Sequence, residues 1–292
     1  MSTSDLGTLG AASAQALRGD RASSDREGGR PARARPARVI AMANQKGGVG
    51  KTTTTINLGA AFAELGERVL LIDMDPQGSL GVGLGVEPHA REATVYNLLM
   101  QDGTTLDEAL VATRTEGLDL LPANIDLAAA ELLLVQETAR EQALSRVVQR
   151  LVSRYDRILI DCPPSLGLLT INGLTASDSV IVPLECEYFA LRGMTLLMQT
   201  LERVRDRLNP QLALEGIVAT MFDGRTLHAR EVLARVEEAF GDAVFNTQVN
   251  KTIRFAEAPV AGEPILSYDP DSRGSTAYRD LALEVLAREP SL

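Results

Sequence analysis

The side chains best suited to chemistry on a phosphate lie in one stretch, Ala43-Asn44-Gln45-Lys46-Gly47-Gly48-Val49-Gly50-Lys51-Thr52-Thr53. Gly47, Gly48 and Gly50 let backbone N–H groups turn inward around an anion with no Cβ in the way. Lys51 is placed to reach β- and γ-phosphates, and the Thr52 hydroxyl to take a position on Mg2+. A short apolar run, Val39 to Met42, precedes the loop, and a helix-like segment, Thr53 to Leu65, follows it. The start of that helix adds free N–H groups and a positive dipole end. Lys46, Gly47, Gly48, Gly50, Lys51 and Thr52 would arise together by chance on the order of once in 10⁵ chains of this length. A glycine-rich turn with incidental lysines is therefore a poor account of them. The stretch departs from the common loop G-x-x-x-x-G-K-[ST] at its start, where Gln45 replaces the first glycine and a second lysine, Lys46, stands beside it.

Three carboxylates close apolar runs downstream. Asp161 ends Arg157-Ile158-Leu159-Ile160, where the metal-associated acid of phosphate-loop NTPases sits. It would hold Mg2+ directly or through one of the waters that ion keeps. An aspartate at a strand end is often only a turn former, but the apolar strand and the upstream loop favour the metal role. Asp73 and Asp75 close Leu70-Leu71-Ile72-Asp73-Met74-Asp75-Pro76-Gln77-Gly78, and alternation along an extended chain puts both on one side. Two acids beside a triphosphate repel it unless a cation or an ordered water lies between. One of them would position the attacking water while the other supports the metal shell.

Composition bounds the rest. The chain has 292 residues, 45% of them apolar, enough for one large α/β domain or two small ones. No apolar run approaches the ~20 residues that span a bilayer, and the N-terminus lacks the apolar core of a secretory signal. Two cysteines, Cys162 and Cys186, make neither a disulfide framework nor a C-x-x-C metal site, so a cytoplasmic location is expected. Residues 1–38 hold seven Arg against Asp5, Asp20, Asp25 and Glu27, a surplus of +3 within a net charge of −10, which leaves −13 on the rest. An acidic body does not attract nucleic acid over its whole surface, so DNA binding would need a local basic patch.

Residues 1–37, rich in Arg, Pro and Ala, read as a disordered tail that cannot bury enough apolar surface to offset its ordering entropy. Residues 38–292 read as a single domain. Strands are expected at Val39–Ala43, Arg68–Asp73, Leu118–Leu121, Arg157–Asp161, Ser179–Pro183, Ala213–Met221 and Ala243–Val249. Helices are expected at Thr53–Leu65, Leu127–Thr138, Glu141–Arg154, Leu168–Ala176, Leu191–Leu208, Thr226–Phe240 and Thr276–Arg288, with a loop and helical region over Ser79–Ala112. Several strands, such as Val69-Leu70-Leu71-Ile72 and Val180-Ile181-Val182, are almost wholly apolar, as a parallel sheet covered on both faces requires. The alternation predicts a doubly wound α/β fold with a mostly parallel sheet and helices on both faces. Ligands on such sheets sit outside the carboxyl ends of the strands, where the loop, Asp73–Asp75 and Asp161 all fall.

Lys46-Gly47-Gly48-Val49-Gly50-Lys51-Thr52, with Asp73-Met74-Asp75-Pro76-Gln77-Gly78 and Asp161-Cys162-Pro163-Pro164-Ser165, resembles the ParA/Soj chromosome- and plasmid-partitioning ATPases. These belong to the deviant Walker A group of P-loop NTPases that also holds MinD and the nitrogenase iron protein. The likeness runs from about Arg38 to the C-terminus, and Pro183 to Gly193, Thr220 to Thr226 and Glu257-Ala258-Pro259 narrow it to the Soj-like branch. It implies ATP and Mg2+ as cofactors, held by Lys46, Gly47, Gly48, Val49, Gly50, Lys51, Thr52 and Thr53. It gives Lys46 a role across a homodimer with ATP sandwiched between subunits, reaching the partner's phosphates. That is the part an arginine finger plays in trans. It also makes Asp75 the hydrolytic aspartate, with Asp73 in support, Thr52 on Mg2+ and Asp161 in the metal shell, through water.

The same resemblance implies a ParB-like activator protein and non-specific DNA bound by the ATP dimer, hence a nucleoid association. Arg225, Arg230, Lys251 and Arg254 are the candidate DNA contacts. Family members usually carry a proline followed by basic and polar residues where this chain has Val249-Asn250-Lys251-Thr252-Ile253-Arg254, beside the adenine site.

Four other readings compete. An electron-transfer role like that of the nitrogenase iron protein needs cysteines placed to hold a shared cluster, whereas Cys162 and Cys186 read as buried thiols. An orphan ParA-like ATPase would use the same switch to position a condensin-type, division or polar complex. A MinD-like membrane ATPase needs a basic amphipathic C-terminal helix, whereas Tyr278 to Glu289 mixes acids with arginines. A small-molecule synthase would need an extra substrate pocket, which Ser79–Ala112 would have to supply.

Overall fold

The computed structural model describes residues 36–87, 91–187 and 190–289; the expected tail lies outside them but for its last two residues. β1 (Arg38–Met42) enters the glycine-rich loop, and the chain leaves it as α1 (Lys51–Glu64). β2 (Val69–Asp73), α2 (Ser79–Gly83), α3 (Val95–Met100), α4 (Leu106–Ala109), β3 (Val111–Ala112) and β4 (Leu118–Leu121) follow. α5 (Leu127–Leu133) and α6 (Ala143–Gln149) lead to β5 (Arg157–Asp161). Then α7 (Leu168–Thr175), β6 (Ser179–Glu185), α8 (Ala190–Arg207), β7 (Ala213–Phe222), α9 (Leu227–Phe240) and β8 (Val244–Asn250) alternate. α10 (Arg254–Ala261), α11 (Ile265–Tyr268) and α12 (Arg273–Arg288) complete the described chain.

Among the described residues the strands form one eight-stranded sheet in the order β3-β4-β2-β5-β1-β6-β7-β8. All neighbours are parallel except the short edge pair β3–β4. Both faces of the central strands are buried, which explains their unbroken apolar runs. On β1, Val39 and Ala41 join a core with Leu127, Leu144, Leu169 and Leu197, from α5, α6, α7 and α8. Ile40 and Met42 join the opposite core with Leu58 and Phe62 of α1 and Tyr278, Leu281 and Val285 of α12. Strand alternation thus divides one sequence between two layers of helices. Register places Met42, Asp73 and Asp161 level at one edge, since Met42 pairs with Asp161 and Asp73 with Asp161.

β4 and β5 lie where the sequence places them, to the residue. β6 runs two residues past Pro183, because Leu184 and Glu185 still pair with Ala219 and Thr220 of β7. The long helix expected over Leu127–Thr138 stops at Leu133 and tightens into a 3₁₀ turn, Leu134–Gln136. α10 forms where the sequence predicts no helix, since it carries Pro259 inside, a residue that removes a helical N–H. α12 begins earlier than expected because the Ser272 hydroxyl caps it, accepting from Ser275 N at 3.1 Å. Its apolar stripe packs against α1 and β8, so it is taken up by the core. No helix among the described residues is long and apolar enough to cross a membrane.

Candidate nucleotide site

The loop between β1 and α1 is shaped by two left-handed glycines, Gly48 at φ 75° and Gly50 at φ 83°. Gly50 is also the N-cap of α1 and offers no side chain to its free N–H groups, which leaves them for an external anion. Asn44 is buried and pins the loop to β6: its Nδ2 donates to Pro183 O at 2.8 Å, and its Oδ1 accepts from Lys46 N at 3.0 Å. From the other side Thr220 of β7 donates its hydroxyl to Val49 O at 2.8 Å. The next residue, Met221, takes φ 48°, a left-handed conformation that is strained for a bulky side chain.

Lys51 is 7% exposed and donates to Lys46 O at 3.0 Å. Burial lowers its pKa, against the opposing pull of Asp161, Cys162 and Asp75. Thr52 donates to Asp161 Oδ2 at 2.7 Å and Thr55 to Asp161 Oδ1 at 3.1 Å. Burial pushes Asp161 up to about 7, although both threonines and Lys51 favour its charged form. Asp73, level with it on β2, is also wholly buried, and burial together with the charge of Asp161 raises its pKa. Thr53, on the first turn of α1, lines a cleft of about 340 Å³ with Thr52, Ser79, Val82, Phe255 and Pro259.

Asp73 and Asp75 do not share one extended face. β2 stops at Asp73, whose two oxygens accept from Asp75 N at 3.0 Å and Leu80 N at 3.2 Å. Asp73 therefore clamps the segment leading into α2, while Asp75 stands partly exposed beyond it, accepting from Gln77 N at 3.0 Å. Lys46 turns away from Lys51. Its ammonium lies 2.7 Å from Glu185 and 2.6 Å from Glu187.

The four candidate DNA contacts separate into two kinds. Arg225 is bound by Asp223 at 2.8 Å, and Arg254 by Glu257 at 2.8 Å and Asp269 at 3.2 Å. Arg230 and Lys251 are exposed, and neither makes an ion pair among the described residues. Cys162 and Cys186 are buried free thiols, both shifted upward by burial, Cys186 to about 11.

Asn44, Thr55, Glu185, Glu187 and Thr220 also belong to this site, although the sequence assigns none of them a role there. Glu185 ends an apolar strand, the same signal that singled out Asp73 and Asp161, but Pro183 made the strand look shorter.

A family model described as an AAA domain matches residues 37–214. The chain is 56% identical over 253 residues to an uncharacterised protein of Mycobacterium tuberculosis, covering 87% of this chain and 80% of that one. It is 50% identical to the sporulation initiation inhibitor protein Soj of Bacillus subtilis, over 86% of this chain and 98% of that one. With the chromosome partitioning protein ParA of Caulobacter vibrioides it shares 49% identity, over 88% and 96%. A solved structure of cobyrinic acid a,c-diamide synthase from Mycobacterium smegmatis, with bound ATP analogue and magnesium, is similar at a TM-score of 0.76 and 44% identity, over 86% and 94%. By these likenesses over nearly its whole described length, the chain belongs to the ParA/Soj family of chromosome-partitioning ATPases.

Proposed function

We propose that this chain is a Mg-ATP-dependent dimerisation switch acting in chromosome or plasmid partitioning. The observation that carries the reading is the joined set of loop and carboxylate: left-handed Gly48 and Gly50, inward Lys51, and Thr52 hydrogen-bonded to Asp161. Those residues fit Mg-ATP. The backbone N–H groups at the start of α1 and the Lys51 ammonium would hold the phosphates. Thr52 would bind the metal, with Asp161 behind it orienting the hydroxyl and metal-bound water. Among the described residues no three His, Cys, Asp or Glu side chains converge on one point, so the remaining oxygens would come from nucleotide and water. Magnesium would neutralise charge on the phosphates as the terminal one leaves. Two buried carboxylates at adjacent strand ends, Asp73 and Asp161, gain from a cation there.

In this reading Asp75 orients the attacking water, and Lys46 reaches the phosphates of a second copy of the chain. Loss of the γ-phosphate would then release the grip between subunits. Arg230 and Lys251 would give the ATP dimer its non-specific hold on DNA, with a ParB-like protein stimulating turnover in a cytoplasmic, nucleoid-associated cycle. ATP turnover measured with and without DNA and a ParB-like partner tests this. Turnover indifferent to both sinks the partitioning role and leaves an orphan ParA-like ATPase with another cargo.

A second reading follows the Mycobacterium smegmatis structure, described as a synthase. The cleft between α1, α2 and α10 draws Ser79, Val82 and Gly83 from the region such an enzyme would use. Turnover stimulated by cobyrinic acid in place of DNA would establish it.

A further inference from the structure

The geometry points to Glu185 and Glu187 as positioning residues for Lys46. They hold its ammonium on its own subunit until an ATP-loaded second copy of this chain draws it away. This rests on the cross-subunit reading of Lys46 given above and adds what governs that lysine before the dimer forms.

Three features build the arrangement. Asn44, buried, ties the loop to Pro183 O and to Lys46 N, so the backbone of residue 46 sits over the carboxyl end of β6. A tight turn there, with Glu187 N donating to Glu185 O at 2.8 Å, brings the two carboxylates together. Lys46 Nζ fills the space between them at 2.7 and 2.6 Å. The two lysines of the loop thus diverge. Lys51 turns inward onto the Lys46 carbonyl, while the Lys46 side chain leaves along β6.

Desolvation lowers the affinity of Lys46 for its proton, but hydrogen bonds and charge from Glu185 and Glu187 outweigh it, and the ammonium is held more firmly than an ordinary lysine. The same contact lowers the pKa of Glu187. The Lys46 side chain is 42% exposed and that of Glu187 57%, and exposed pairs are weak and screened. Such a clasp biases an equilibrium without blocking it. A triphosphate enclosed between subunits offers charge-assisted bonds in a drier place and would win the lysine from one exposed carboxylate, Glu187, and one half-buried, Glu185. Once Lys46 departs, Glu185 and Glu187 are left close together without the ammonium that bridged them. Their mutual repulsion favours the lysine's return after hydrolysis and so hastens separation of the subunits.

The test is the protein concentration at half-dimerisation of the full chain, read by light scattering with a non-hydrolysable ATP analogue and Mg2+. Glu185→Gln/Glu187→Gln should lower that concentration roughly tenfold, since each protomer no longer gives up two pairs. The Lys46 side-chain ammonium signal in the nucleotide-free NMR spectrum should weaken in the same variant, a change that a merely structural role for the glutamates would not produce. Lys46→Ala should form no ATP dimer. An unchanged or raised midpoint in the double variant, with Lys46→Ala still monomeric, overturns the clasp alone. A normal ATP dimer in Lys46→Ala overturns the cross-subunit role itself. Should the double variant unfold, Glu187→Gln alone, at the more exposed position, is read the same way with a smaller shift.

Discussion

The Thr52 hydroxyl donates to Asp161 Oδ2 across 2.7 Å, joining the first turn of α1 to the end of β5. The acceptor is wholly buried and level with a second buried acid, Asp73. Without a cation the pair strains the fold, because burial holds Asp161 up at about 7 and raises Asp73 as well. A carboxyl whose folded pKa exceeds its unfolded value keeps a proton that the unfolded chain has lost. Stability is then highest below the unfolded pKa, near 4, and falls as pH rises through the window toward 7. Nucleotide-free protein should therefore lose thermal stability from pH 5 to pH 7.5, and Asp161→Asn should lose less. Adding Mg-ATP should stabilise the wild type far more than the variant. Parallel melting curves for the two proteins across that range would rule this out.

Asp75 stands outside β2 and partly in solvent, its Oδ1 accepting from Gln77 N at 3.0 Å. Its removal should leave the phosphate loop and Asp161 intact. Asp75→Ala should bind ATP and dimerise while single-turnover hydrolysis falls by roughly 10²- to 10⁴-fold, the span for loss of a group that positions or deprotonates water. Wild-type turnover in this variant would move the role to Asp73 or elsewhere.

The fold was legible because its strands announce themselves. Val69 to Ile72 and Ile158 to Ile160 are apolar on both faces and end in acids, and the glycine-rich loop sets the first β–α unit. Lys51, Thr52 and Asp161 were readable for the same reason, since strand ends meet at one edge of a parallel sheet. The less regular parts follow rules that local pattern does not carry. Asp73 and Asp75 look alternate in sequence, but the chain leaves the strand between them when Asp75 N folds back onto Asp73. Glu185 and Glu187 are 139 and 141 residues from Lys46, a pairing that only β1–β6 adjacency in the sheet creates. α10 was hidden by Pro259 and is held by tertiary contact with α2.

Among the DNA candidates, ion pairing divides the expected effects. Arg225 and Arg254 already pair with Asp223, Glu257 and Asp269, whereas Arg230 and Lys251 make no ion pair among the described residues. Each phosphate contact adds about 0.9 to the slope of log affinity against log salt. Arg230→Glu with Lys251→Glu should reduce that slope by about 2 and weaken binding to any sequence alike. Arg254→Glu should reduce it by less than 1. A larger loss from Arg254→Glu, measured by salt-titrated fluorescence anisotropy, would show that its acidic partners release it on DNA.

Gly262 ends α10 at φ 70° and faces Gly85, itself at φ 71°, just past α2. A Cβ on Gly262 would come within 2.7 Å of Gly85 Cα and 3.0 Å of Gly85 N, both backbone atoms that no side-chain rotation can move. The two glycines set how closely α10 approaches α2, and those helices supply Pro259, Ala258, Val82 and Gly83 to the cleft beside Thr52 and Thr53. Gly262→Ala carries both a left-handed backbone penalty and a clash, together about 2–4 kcal/mol. Gly103, at φ 98°, has no atom within 4 Å of where its Cβ would stand, so Gly103→Ala isolates the backbone penalty at about 1 kcal/mol. The melting temperature should fall further for Gly262→Ala than for Gly103→Ala, by several degrees in a domain of this size. ATP affinity should weaken only in Gly262→Ala, because only that change shifts α10 against α2. Equal melting points and equal nucleotide affinity in the two variants would mean that the glycine contact neither sets the helix spacing nor shapes the cleft.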